Sequence, residues 1–164
     1  MIEGRAWKFA DHINTDLIIP GRYLDDYSPE NLAAHVMEDA DPRFAKQVRK
    51  GDVIVAGRNF GCGSSREQAP LALKYAGVGA VVAGSFARIF FRNAINVGLA
   101  VIVCPEAHQA IRAGDVIRID LHQGSIEVVE SGQRMSFDPM PDFLMSILRS
   151  GGLVPFTRER LRQK

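Results

Sequence analysis

Apolar residues fall along this chain in short Val- and Ile-rich runs, separated by stretches of helical period. The runs at 6–9, 52–56, 79–83, 100–103, 116–120 and 126–130 predict strands. Helical patterns occupy 29–38, 66–75, 86–96, 106–113 and 142–149, and most are bounded by Gly, Pro or Ser. Strand and helix alternate from 52 to 113. That order predicts an α/β unit with parallel pairing, since a parallel return needs a crossover. From 115 to 137 the pattern becomes that of a β-meander, with a turn at Ser131-Gly132-Gln133.

The 164 residues suit one domain spanning 1–164. Its basic tail at 157–164 reads as a frayed, solvated end. Residues 11–27, DHINTDLIIPGRYLDDY, read as a long loop, and loops of that length in small domains are usually functional or flexible. Hydrophobic residues make up 46% and charged residues 24%, and the net charge is +1. Charge this balanced gives no reason to expect a nucleic-acid partner. No run approaches the roughly 20 apolar residues that span a bilayer, and the N-terminus lacks a signal-peptide core. A cytoplasmic protein without membrane contact is the expectation. Cys62 and Cys104 sit in no ligand motif, and two thiolates fall short of an iron–sulfur cluster's three or four.

Chemistry concentrates in residues 57–68, GRNFGCGSSREQ, between an apolar strand and a helical pattern. Gly61 and Gly63 permit a tight turn and close approach of a ligand. Ser64 and Glu67 have the spacing of a capping box, which would aim the following amides at the loop and favour an anion. Arg66 adds a planar fork matched to a carboxylate. A glycine turn before a capped helix needs no function, but Arg66 beside two hydroxyls tips the reading towards an anion site. Pro70 conflicts with a helix running from 66, so either the first turn is distorted or the helix begins nearer Pro70. Nucleophile-elbow and Walker spacings are both absent.

The string GRNFGCGSSREQA resembles the signature of the aconitase family's swivelling domain. Three further stretches agree in order and spacing: NTDLIIPGRYL, KYAGVGAVVAGSFARIF and FRNAINVGL. The resemblance is strong over residues 1–104 and looser beyond. It implies a swivel-type β/β/α domain with a mixed parallel and antiparallel sheet and flanking helices. It also implies a small subunit, active only with a large one in a heterodimer or heterotetramer. A [4Fe-4S] cluster would then sit on that partner and none on this chain. The family removes water from a small hydroxy acid and adds it back in the opposite sense.

Carried over position by position, Ser64 is the base, Ser65 donates to a substrate carboxylate and Arg66 pairs with it. Asp16 matches a loop aspartate that orders the site, and a turn-stabilising Asx accounts for it equally well. Residues 86–89 and 92–96 read as packing and scaffold, with Arg88 the exception. Substrate choice falls to Tyr23, Leu24 and Asp25. The acids Asp25 and Asp26 would repel a distal carboxylate, which favours an apolar substituent such as isopropyl, and a solvated loop pair accounts for them equally well. Arg22 weakens that inference, and homoaconitate or dimethylmalate stay open as substrates. A reading from another class is a non-catalytic anion- or nucleotide-binding module built on the same glycine turn.

Overall fold

The structure, a computed structural model, describes residues 1–164. Seven strands form one sheet: β1 (Ile2–Lys8), β2 (Val53–Ala56), β3 (Ala80–Ala83), β4 (Ala100–Val103), β5 (Val116–Asp120), β6 (Ser125–Val128) and β7 (Arg134–Ser136). Their spatial order is β4-β3-β2-β1-β5-β6-β7. β1 is the seam. It pairs parallel with β2, which continues parallel to β3 and β4, and antiparallel with β5, which continues antiparallel to β6 and β7.

The helices are α1 (Thr15–Ile18), α2 (Pro29–His35), α3 (Phe44–Gln47), α4 (Gln68–Tyr75), α5 (Arg88–Asn96), α6 (Ala107–Ala110), α7 (Asp142–Arg149) and α8 (Leu153–Arg162), with a 3-10 turn at Gly21–Tyr23.

Two cores explain why the parallel strands read as unbroken apolar runs. Ile54, Ala56, Val81, Ala83 and Val101 face a helical layer that includes Leu32, Phe44, Leu73 and Phe90. Val53, Val55, Ala80, Val82 and Ile102 face the other way, onto Ile117, Ile119, Ile126, Val128 and Met135 of the meander. A strand covered on both sides needs no polar face. The antiparallel half therefore curls over the parallel half, and the layers run meander, parallel sheet, helices. This is the mixed, helix-flanked α/β architecture that the sequence predicts.

Several details differ from expectation or resolve it, among them α3, which no predicted helix covers. β1 starts at Ile2, earlier than predicted, because Ile-Glu-Gly-Arg pairs with β5 while carrying polar side chains. Gly4 is required there, since a Cβ would lie 2.1 Å from the Gly51 carbonyl oxygen. α4 starts at Gln68, so of the two alternatives for this helix the one beginning nearer Pro70 holds. Pro70 thus sits in the first turn, where its missing N–H costs no helical bond. The loop at 11–27 contains α1, whose Leu17 amide donates to the Asn14 side chain at 2.9 Å. Finally, the tail is helical to Arg162 though solvent-exposed, anchored by Phe156 edge-on to Phe143 at 5.6 Å.

Candidate active site

Parallel strands deliver their following loops to one edge of a sheet, and ligands bind at that edge. Here three loops meet there, after β1, β2 and β3. Backbone bonds join them. The Gly61 amide donates to the Ile13 carbonyl at 2.7 Å, and Thr15 donates to the Cys62 carbonyl at 2.9 Å. Phe60 donates to the Ser85 carbonyl and Ala87 to the Phe60 carbonyl, both at 3.0 Å. Short parallel bridges pair Asn14 with Cys62 and Phe60 with Phe86. Beneath them Phe60, Phe86 and Phe90 pack ring against ring, with centroids 5.3 to 6.2 Å apart.

Gly61 makes this junction possible. Its φ is +82°, and a Cβ would stand 2.2 Å from Cγ of Phe90, so both its conformation and the space exclude a side chain. Gly63, at φ +94°, carries the chain back towards Asn14 and Thr15. The Thr15 hydroxyl then donates to the Ser64 carbonyl at 2.9 Å. This bond fixes the Ser64 backbone and leaves its side chain free.

The result is an open cleft of about 520 Å³. Thr15, Gly61, Gly63, Ser64, Ser65 and Arg66 form one wall, and the start of α5, with Arg88, Phe90, Arg92 and Asn93, forms the other. Ser64 and Ser65 are exposed, and their hydroxyls have no partner within the chain. Arg66 is held differently. Its side chain is 18% exposed, and Nη1 donates to Asp16 at 2.5 Å and to the Ile19 carbonyl at 3.2 Å. Both bonds use one nitrogen, so the rest of the fork remains available. Asp16 lies outside the cleft lining and contacts Arg66.

The capping box is not formed. Ser64 caps nothing, the residue at the α4 N-cap is Glu67, and no side chain caps that helix. The pull of the entry segment on Cys62 and Ser64 keeps the loop extended past the point where a local box would close. The helix whose start faces the cleft is α5, from the next crossover.

Tyr23, Leu24 and Asp25 are not brought into the cleft. Tyr23 stacks on His35 with centroids 3.6 Å apart, Leu24 packs towards the helical core, and Asp25 is exposed. Arg22 is tied down: it bonds Asp39 at 2.8 Å and Glu38 at 3.1 Å, and its Cζ lies 4.8 Å from the Tyr23 ring centroid. The bond to Asp39 raises the Arg22 pKa further above its ordinary value. Arg88, Arg92 and Asn93 all reach the cleft. For Arg92 and Asn93 this departs from the scaffold reading, and the only sequence signal was a pair of arginines four apart at a helix start.

No group of three His, Cys, Asp or Glu side chains is placed to hold a metal ion. Cys104 is buried in the meander-side core. Burial, followed by the nearby Glu106 charge, pushes its thiol pKa up, away from the thiolate a metal would need. Cys62 lies within the loop after β2 and belongs to no such group. No helix is long and apolar enough to cross a membrane.

Residues 9–107 match the family model of the aconitase C-terminal domain. The chain is 58% identical to the 3-isopropylmalate dehydratase small subunit 1 of Methanopyrus kandleri, over 94% of this chain and 91% of that one. It is 55% identical to the 3-isopropylmalate dehydratase small subunit of Nautilia profundicola, over 99% and 98%. It is also 58% identical to the methanogen homoaconitase small subunit of Methanothermobacter thermautotrophicus, over 94% and 89%. Among solved structures, a crystal structure of 3-isopropylmalate dehydratase from Methanocaldococcus jannaschii superposes with a TM-score of 0.93 at 49% identity, covering 99% of this chain and 96% of that one.

Proposed function

The chain belongs to the aconitase family and is of the 3-isopropylmalate dehydratase small-subunit type, and from that premise we propose that it completes a [4Fe-4S]-dependent hydro-lyase interconverting 2- and 3-isopropylmalate in leucine synthesis. The whole chain, 1–164, acts as one swivel unit that closes on a large subunit. The observation that carries this is an open cleft in which two hydroxyls with no partner stand beside an anchored guanidinium. An open cleft at a surface is what a second polypeptide can cover.

This chain's own residues do not fit a cluster, so we assign the cluster to the large subunit, where it would act as a Lewis acid on the departing hydroxyl. The remaining chemistry falls here. The proton to be removed sits on carbon next to a carboxylate, and charge builds on that carboxylate as it leaves. Arg66 pairs with the carboxylate and Ser65 donates a hydrogen bond to it, so the developing charge meets groups already aimed at it. Ser64 Oγ takes the proton, and on rehydration it returns the proton to the product carbon. Closure by the large subunit excludes water, which strengthens both interactions. Asp16 keeps Arg66 in position.

Substrate choice is the finer part of the reading. Identity does not select it, because the homoaconitase relative is as close as the dehydratase relative. The loop lies outside the cleft of the chain by itself, and in this reading closure by the large subunit brings it over the substrate's variable group. Arg22, the one cation beside Tyr23 and Leu24, is held by Asp39 and Glu38, which leaves Asp25 and Asp26 to disfavour a distal carboxylate. An apolar isopropyl group fits that surface better than the extra carboxylate of homoaconitate.

The test is reconstitution. Purified chain mixed with its cognate large subunit is assayed by the alkene absorbance of isopropylmaleate, with homoaconitate as competitor. Turnover of isopropylmalate with poor use of homoaconitate is expected. The opposite preference would transfer the chain to the homoaconitase branch, and inactivity with every co-encoded large subunit would reject the hydro-lyase reading.

A further inference from the structure

The proposed chemistry uses one wall of the cleft. Opposite stands α5, with Arg88 as its first residue and Arg92 one turn on along the same face. Both line the cleft, both are exposed, and neither has an acidic partner within the chain. Arg66, across the cleft, is by contrast held in an ion pair.

Arg88 also breaks a local rule. α5 begins without a capping side chain and without an acid in its first turn. The amide end of a helix carries partial positive charge, so a cation placed there costs stability. Breaks of local rules are expected at functional or strained sites, and this one stands at the mouth of a cleft. An anion in the cleft removes the conflict, because it meets the guanidinium and the first-turn amides together.

Isopropylmalate is a dicarboxylate, and Arg66 accounts for one of its two charges. We propose that Arg88 binds the second carboxylate, so that the substrate is held from both walls with Ser64 between. Arg92, further from the free amides, gives longer-range attraction only. This inference rests on the dehydratase reading and adds to it the residue that requires a dicarboxylate.

The experiment uses the reconstituted two-subunit enzyme. Arg88→Ala is expected to raise KM for isopropylmalate about 10- to 100-fold, equivalent to ~1.4 to 2.8 kcal/mol, with a smaller change in kcat. Arg88→Lys should recover part of the loss, and Arg92→Ala should cost less than Arg88→Ala. Titration calorimetry between the subunits should give the same dissociation constant for Arg88→Ala as for wild type. As inhibitors, the two monoamides of 2-isopropylmalate should diverge: one should lose affinity for the Arg88→Ala enzyme, and the other, already lacking the charge Arg88 binds, should not. An unchanged KM, a parallel loss of subunit association, or a larger effect from Arg92 would each overturn the proposal. Wild-type enzyme that does not turn over isopropylmalate would instead remove the parent reading, and this one with it.

Discussion

The two ends of the parallel sheet treat their polar groups in opposite ways. At the amino end Asp52 is almost fully buried, and its carboxylate accepts from the Arg49 amide at 2.9 Å, the Trp7 indole at 3.0 Å, the Arg5 amide at 3.1 Å and the Arg5 guanidinium at 3.3 Å. At the carboxyl end the Ser64 and Ser65 hydroxyls accept and donate nothing within the chain, and most of the Arg66 fork is idle. Both ends have comparable polar chemistry. One uses it up internally and holds the fold, while the other leaves it pointing into a cleft. A group already saturated by its own chain has nothing left to offer a substrate, so free capacity rather than residue type separates the two roles.

Substitutions can break this contrast or sharpen it. The largest effect is expected from Ser64→Ala. Loss of a positioned base should lower turnover of the reconstituted enzyme by about 10³-fold, while the melting temperature stays put because an exposed hydroxyl without a partner contributes little. At the other end, Asp52→Ala should do the reverse. Removing the carboxylate from its buried partners should cost about 3 kcal/mol in urea unfolding, with kcat per folded molecule unchanged. Equal effects of both changes on activity would erase the distinction.

Gly61→Ala should fall between them, because Gly61 joins the loop to the core through Phe90. Overpacking should cost about 1–3 kcal/mol, and the displaced loop should lower kcat/KM as well.

A smaller effect is expected from pH. Burial would raise the Asp52 pKa, but the bonds from Arg49, Trp7 and Arg5 outweigh it and hold the carboxylate below its ordinary 3.8. A depressed folded pKa means that the unfolded chain takes up the proton first. The contribution is therefore full above the unfolded pKa and is lost as pH falls through the folded one. Urea unfolding should show wild type losing its advantage over Asp52→Asn only below about pH 4. The smallest effect should come from Arg118→Ala on the meander. Its ion pair with Glu3 is exposed, so stability should move by less than about 1 kcal/mol and activity not at all.

Much of this arrangement was legible in the chain. β2, β3 and β4 announced themselves because two covered faces leave no room for polar positions. The serine pair and Arg66 stood out because glycines and hydroxyls cluster after a strand. What stayed hidden depends on contacts distant in sequence. Ser64 and Glu67 have capping-box spacing, yet the bond from Thr15, 49 residues away, holds the loop elsewhere. Arg88, flagged only as an exception, and Arg92, read as scaffold, reach the cleft because the Phe60–Phe86 bridge sets the β3 loop beside the β2 loop. α8 was missed because its exposed basic sequence reads as a tail, while its anchors, Phe156 on Phe143 and the core and the Ser150–Glu159 bond, come from packing.

The central claim is that Ser64 carries the proton. The most direct measurement starts from isopropylmaleate in deuterated water with the reconstituted enzyme and counts deuterium on the carbon next to the product carboxylate. The account predicts that Ser64→Ala incorporates deuterium about 10³-fold more slowly than wild type, with the variant still associating with the large subunit. Incorporation by Ser64→Ala at the wild-type rate would contradict it.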